Sequence, residues 1–137
     1  MKLKTAIIRK SHFNAAHRLH NSSWSAEQNA SVFGKCNNPN YHGHNYSLEV
    51  KIIGEVDSAT GFVMDLGKLK MIIDEEVIQR YDHKNLNLDV EDFRVLNPTA
   101  ENIAYVIYTR IRPRINEENE LKIKLYETER NIVEYPY

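Results

Sequence analysis

Three histidines and the single cysteine are the residues of this chain whose types and spacing could do chemistry. Residues 36–46 read CNNPNYHGHNY, so His42 and His44 follow Cys36 closely and stand one residue apart. If a strand begins near residue 42, side chains at i and i+2 point the same way. Two imidazoles on one face can then bind one ion, and Gly43 between them leaves room for close approach. A first strand ends in FNAAHRLH, where His17 shares the face of Phe13 and Ala15. In an antiparallel pairing the end of that strand lies beside the start of the next, which sets His17 next to His42 and His44. Three histidines with an open position form a catalytic zinc arrangement, unlike a closed four-ligand structural site. The plain alternative is a set of loop histidines bonded to backbone. His12 falls on the opposite strand face, and His20 lies in the loop.

Cys36 has two readings. A lone cysteine is commonly a small buried apolar residue. This one sits in GKCNNPN, a polar loop with Lys35 adjacent, and a nearby cation favours the thiolate. A thiolate beside a metal-bound substrate could serve as base or nucleophile. Asp82–His83 in YDHKNLN reads, on residue types alone, as a solvated loop. Glu127 at a strand end reads as a surface carboxylate, or as a paired hydrogen-bond acceptor for a ligand amine and ring N–H. No GxxxxGK[ST] or GxGxxG is present, so neither a P-loop nor a dinucleotide fold is supported.

The elements that must hold these residues follow from periodicity. Residues 3–17 and 44–54 have strand character, with Tyr46, Leu48, Val50 and Ile52 on one face. Residues 18–41, rich in Asn, Ser, Gly and Pro, read as a long functional loop. DSATG at 57–61 predicts a turn and FVMD at 62–65 the return strand of a hairpin. Leu66, Leu69, Ile73 and Val77 recur at helical spacing over 66–79. NPTAEN opens a second helix capped by Thr99, with Ile103, Ile107 and Ile111 as its buried stripe and Pro113 near its end. LKIKLYE (121–127) and NIVEY (131–135) predict two more strands. The order predicts an α+β fold, a four-stranded antiparallel sheet with two helices on one face. Its two edges, and the apolar C-terminal run Leu125, Tyr126, Ile132, Val133, Tyr135 and Tyr137, predict oligomerisation.

The 137 residues suit one domain, residues 1–137. Eighteen basic against nineteen acidic residues leave almost no net charge, which argues against a nucleic-acid or membrane-surface binder. One cysteine allows no intramolecular disulfide, which fits a reducing compartment. MKLKTAII lacks the apolar run of a signal peptide, and no stretch approaches the ~20 apolar residues of a membrane helix. The chain is read as cytoplasmic.

Taken together, AAHRLH (15–20), FGKCNNPN with HGHNY (33–46), YDHKNLN (81–87), NPTAEN (97–102) and YET (126–128) resemble the 6-pyruvoyltetrahydropterin synthase family, in order and spacing. The resemblance implies the T-fold, with trimers closing into a barrel and two trimers stacking into a homohexamer. It implies that His17, His42 and His44 bind Zn2+. It implies that Cys36 is the catalytic thiol, completed by Asp82 and His83 across a subunit interface. Glu127 would anchor the pterin ring, and Thr99 would add a contact. The implied reaction converts 7,8-dihydroneopterin triphosphate to 6-pyruvoyl-tetrahydropterin. A sister activity on the same scaffold, 6-carboxytetrahydropterin synthase, releases acetaldehyde as well and serves 7-deazapurine (queuosine) synthesis. Its cysteine commonly stands four residues before H-G-H, against six here. A zinc-bound, non-catalytic pterin-binding module is the remaining alternative. Tyr41 stands where the family usually has glycine, which would narrow the loop at the metal, and ETERN replaces the usual ETDNN, placing Arg130 near the pterin end. Arg18, Lys35 and Arg130 are candidates for the triphosphate.

Overall fold

The computed structural model describes residues 2–137. Strand β1 (Lys4–His17) pairs antiparallel with β2 (His42–Glu55), and Lys4 faces Glu55 while His17 faces His42. β2 pairs with β4 (Glu120–Tyr126), and β4 with β5 (Ile132–Tyr135). A two-residue strand, β3 (Lys84–Asn85), joins β1 in parallel at Ala15 and Ala16. The sheet therefore has five strands in the order β3-β1-β2-β4-β5, and it is mixed where four antiparallel strands were expected. Two residues carry no periodicity, so β3 leaves no pattern in the sequence.

Alternation builds the core. Phe13 and Ala15 on β1, Tyr46, Leu48, Val50 and Ile52 on β2, and Leu121, Ile123 and Leu125 on β4 are buried on one face. Helix α2 (Leu66–Ile73) runs on through a π-helical stretch (Asp74–Ile78) into α3 (Gln79–Tyr81). With α5 (Ala100–Ile111) it covers that face, supplying Leu69, Ile73, Val77, Ile103, Ile107 and Ile111. Leu66, expected in the stripe, is exposed in the first helical turn. Short α4 (Leu86–Asp89) follows β3. Among the described residues no helix is long and apolar enough to cross a membrane.

Two segments differ from the periodicity. The 18–41 stretch contains helix α1 (Ala26–Phe33) and a 3-10 turn (Gly34–Asn37). Ser25 caps α1, its hydroxyl accepting from the Gln28 amide, and buried Asn29 ties it to the Asn21 backbone by accepting at 2.8 Å and donating at 2.9 Å. Only Asn29 of this helix is buried, so no apolar stripe announces it. FVMD forms bends and no hairpin strand. Asp65 there caps α2, accepting from the Gly67 amide at 2.9 Å, and a capping residue is spent on the helix. The apolar C-terminus is partly self-covered: Leu125 lies in the core, whereas Ile132 and Tyr137 are exposed.

Candidate functional site

The register of β1 and β2 assembles the histidines. Opposition of His17 to His42, and of Ala15 to His44, stacks three imidazoles on one end of the sheet. Their ring centroids form a near-equilateral triangle of 4.6, 5.1 and 5.0 Å. Gly43 is not required for this approach, since a Cβ there would meet only the Ala15 carbonyl at 3.5 Å.

His17 is buried, and its Nδ1–H donates to the Pro98 carbonyl at 2.7 Å. That bond fixes the tautomer and leaves the Nε2 lone pair free. Nε2 faces His42 Nε2 at 3.1 Å, close to the ~3.3 Å separating two nitrogens tetrahedrally bound at zinc distances. Burial pushes His17 down to about 4; the Pro98 hydrogen bond opposes this, and His42 and His44 reinforce it. Burial likewise lowers His44, against the pull of Glu127. Both rings are thus neutral at neutral pH, the form that ligates metal. His42 Nδ1 and His44 Nε2 are buried without a hydrogen-bond partner. An unpaired buried nitrogen costs about 1–3 kcal/mol, and a cation among the three rings supplies His44 Nε2 with the partner it lacks. One donor atom from each histidine lies within 4.8 Å of the others, so this group could hold a metal ion.

An open cavity of about 830 Å³ adjoins the histidines, lined among others by Cys36, His42, His44, Glu127, Thr128 and Asn131. Cys36 sits half-buried on the 3-10 turn. Glu127, just past β4, brings a carboxylate oxygen to 4.0 Å from His17 Nε2, and its amide donates to the Asn131 carbonyl at 3.1 Å. Thr128 and Asn131 were not singled out by sequence. Their place four residues or fewer after a strand-end glutamate was the available signal.

Asp82 and His83 pair with each other at 3.1 Å on the outer edge of β1. The Asn14 amide donates to Asp82 at 2.9 Å, and that bond first, then His83, holds the Asp82 carboxyl below its ordinary range. The His83 amide in turn donates to the Asn14 carbonyl at 2.6 Å. His83 adopts a left-handed φ of 62° and is largely exposed. Neither residue lines the Cys36 cavity within one chain. Thr99 stands apart from it too, its hydroxyl capping α5 by accepting from the Asn102 amide at 3.2 Å. Of the candidate cations, Lys35 lines the cavity, and Arg130 does not. Arg18 and Tyr41 border a separate cleft of about 450 Å³. Tyr41, at φ 68°, therefore does not narrow the Cys36 cavity.

A family model described as 6-pyruvoyl tetrahydropterin synthase matches residues 6–136. The human 6-pyruvoyl tetrahydrobiopterin synthase is 43% identical over 134 residues, covering 98% of this chain and 92% of that one. Its Drosophila melanogaster counterpart is 42% identical over 96% of this chain and 80% of its own. The solved structure of Caenorhabditis elegans 6-pyruvoyl tetrahydropterin synthase superposes with a TM-score of 0.91 at 40% identity, covering 97% of this chain and 95% of that one. The three-histidine cluster, the adjoining thiol and this likeness along nearly the whole length coincide, and the chain belongs to the 6-pyruvoyl tetrahydropterin synthase family.

Proposed function

We propose that this chain is a zinc-dependent lyase that converts 7,8-dihydroneopterin triphosphate to 6-pyruvoyl-tetrahydropterin with loss of triphosphate. The observation that carries the reading is the convergence of three imidazoles, a thiol and a carboxylate on one cavity. His17, His42 and His44 would hold the zinc ion, which when bound acidifies the C–H groups beside the side-chain hydroxyls of the substrate. Glu127 accepts from the pterin amino group and ring N–H, a paired charge-assisted bond that fixes the ring. Cys36, as thiolate, takes a proton from the side-chain carbon facing it. His83, oriented by Asp82, moves protons during tautomerisation. Triphosphate departs with the electrons of its C–O bond, and the side chain becomes a pyruvoyl group. Hydrogen moves from side chain to ring, so no external redox cofactor enters.

Asp82, His83 and Thr99 stand outside the cavity of their own chain, and in this reading they enter it from a neighbouring copy. A homohexamer, a dimer of barrel-forming trimers, meets that requirement, with the two sheet edges as joining surfaces. The near-neutral charge and single cysteine support a cytoplasmic enzyme.

The test is incubation of the metal-loaded oligomer with 7,8-dihydroneopterin triphosphate and identification of the pterin by mass. A pyruvoyl pterin without acetaldehyde is expected. A carboxy pterin with acetaldehyde would move the protein to the 6-carboxytetrahydropterin reaction. No turnover by metal-replete oligomer would leave a pterin-binding module.

A further inference from the structure

We propose that Asn37, together with Arg18, is a positioning residue that aims the Cys36 thiol at the metal cavity by lashing its turn to the strap after His17. The inference rests on Cys36 acting as the base in the function proposed above.

The turn carrying Cys36 is weak by itself. It has four residues, and Gly34, at a left-handed φ of 57°, separates it from α1. Its internal closure is one long bond, from the Asn38 amide to the Lys35 carbonyl at 3.2 Å. A short 3-10 turn behind a glycine has little to fix where its side chains point. Its anchorage comes from outside, from Arg18, Leu19 and His20. The Leu19 amide donates to the Cys36 carbonyl at 2.9 Å. Arg18 Nε donates to the Asn37 carbonyl at 2.9 Å. The Asn37 side-chain amide donates to the Leu19 carbonyl and to His20 Nδ1, both at 2.8 Å. Four bonds thus bind two residues of the turn to three residues of the strap.

The strap is itself held on its far side. Asn87 accepts from the Arg18 amide at 2.8 Å and donates to the Arg18 carbonyl at 2.9 Å. Asn97 accepts from the His20 amide at 3.2 Å. The neighbouring Pro98 carbonyl is the one that orients His17. Thiol and metal ligand therefore share one frame, with Asn37 as the side chain that joins the thiol's turn to it. The frame also assigns Arg18: its Nε is committed to the turn, which makes it a structural cation and not a free triphosphate ligand.

The test compares Asn37→Ala, Asn37→Asp and Arg18→Met with the parent chain. Three readouts are taken: bound zinc per chain, kcat and KM with the pterin substrate, and the rate of Cys36 alkylation by iodoacetamide below the thermal transition. Asp keeps the shape of Asn but cannot donate, so it separates hydrogen bonding from packing. Displacing a reacting group by about 1 Å costs on the order of 100-fold. The expected result is a kcat lower by roughly 10- to 100-fold, KM within about threefold, and zinc content unchanged. Cys36 alkylation accelerates severalfold, and Asp behaves as Ala. Parent-like kcat and alkylation in all three variants overturn the proposal. So does a loss of kcat that tracks a loss of zinc, which would place these residues in the metal site's stability. If Asn37→Ala does not fold, Arg18→Met decides on the same readouts. If the parent turns over no pterin, the proposed function fails, while the alkylation rates still decide the positioning role.

Discussion

Cys36, Glu127 and the three histidines share one cavity but carry separable tasks, and single substitutions should pull the tasks apart. Replacing Cys36 by Ala should abolish turnover, measured as product formed, while pterin affinity by calorimetry stays within about twofold, since the thiol does chemistry and Glu127 does the anchoring. Glu127→Gln should do the reverse. It removes a charged acceptor worth about 1.5–3 kcal/mol, so KM should rise on the order of tenfold or more with kcat less affected. His44→Ala should lower bound zinc well below one per chain by elemental analysis, because two imidazoles remain of three. At this scale much was legible. H-x-H at the start of a strand and a histidine closing the strand before it have a simple geometric consequence, and β1–β2 pairing delivers it. Asp82, His83 and Thr99 were legible only through family resemblance, because within one chain each is occupied locally, by Asn14 or by a helix N-terminus.

The elements that hold the cavity depend on a buried ionic tie which alternation and helical period do not reveal. Asp92 accepts from Arg110 Nε at 2.7 Å, from Arg110 Nη2, and from the Tyr81 hydroxyl at 3.0 Å. It thereby links α5 to the end of α3, directly before Asp82 and His83. Burial works to raise the Asp92 carboxyl, but the hydrogen bonds of Arg110 and Tyr81 and the guanidinium charge hold it below its ordinary range. A depressed carboxyl contributes stability that is full above its unfolded value of about 3.9 and is lost as pH falls through the lower folded value. Asp92→Asn should therefore cost about 2 kcal/mol at pH 7, read by urea unfolding. Its deficit against the parent should shrink below about pH 4. Strands and the two long helices could be read from apolar spacing because packing against one sheet face imposes it. Helix α1 could not, since a cap and one buried asparagine hold it where a hydrophobic stripe would.

At the scale of the whole molecule, the edges of the sheet are unequal. β3 covers β1 only at Ala15 and Ala16, so among the described residues most of β1 presents an unpaired edge, and β5 presents four residues at the other side. Edges of this kind pair with other chains. If the Asp82–His83 pair serves a neighbour's cavity, Cys36→Ala and His83→Ala are each inactive alone, yet mixing and refolding them together should restore turnover. In such a mixture some interfaces join an intact thiol to an intact histidine. Activity that stays at the level of the separate variants, with oligomers confirmed by sedimentation, would place the whole reaction within one subunit.

The fourteen-residue pairing of β1 with β2 has one more consequence. A slip of a single position would turn every side chain of one strand to the other face. His17 would then look away from His42 and His44, and no three-nitrogen cluster would form. Cation uptake is thus a proofreading signal for the hairpin as much as a step toward chemistry: a stoichiometric zinc titration of freshly refolded chain counts the molecules whose strands have met in the correct alignment.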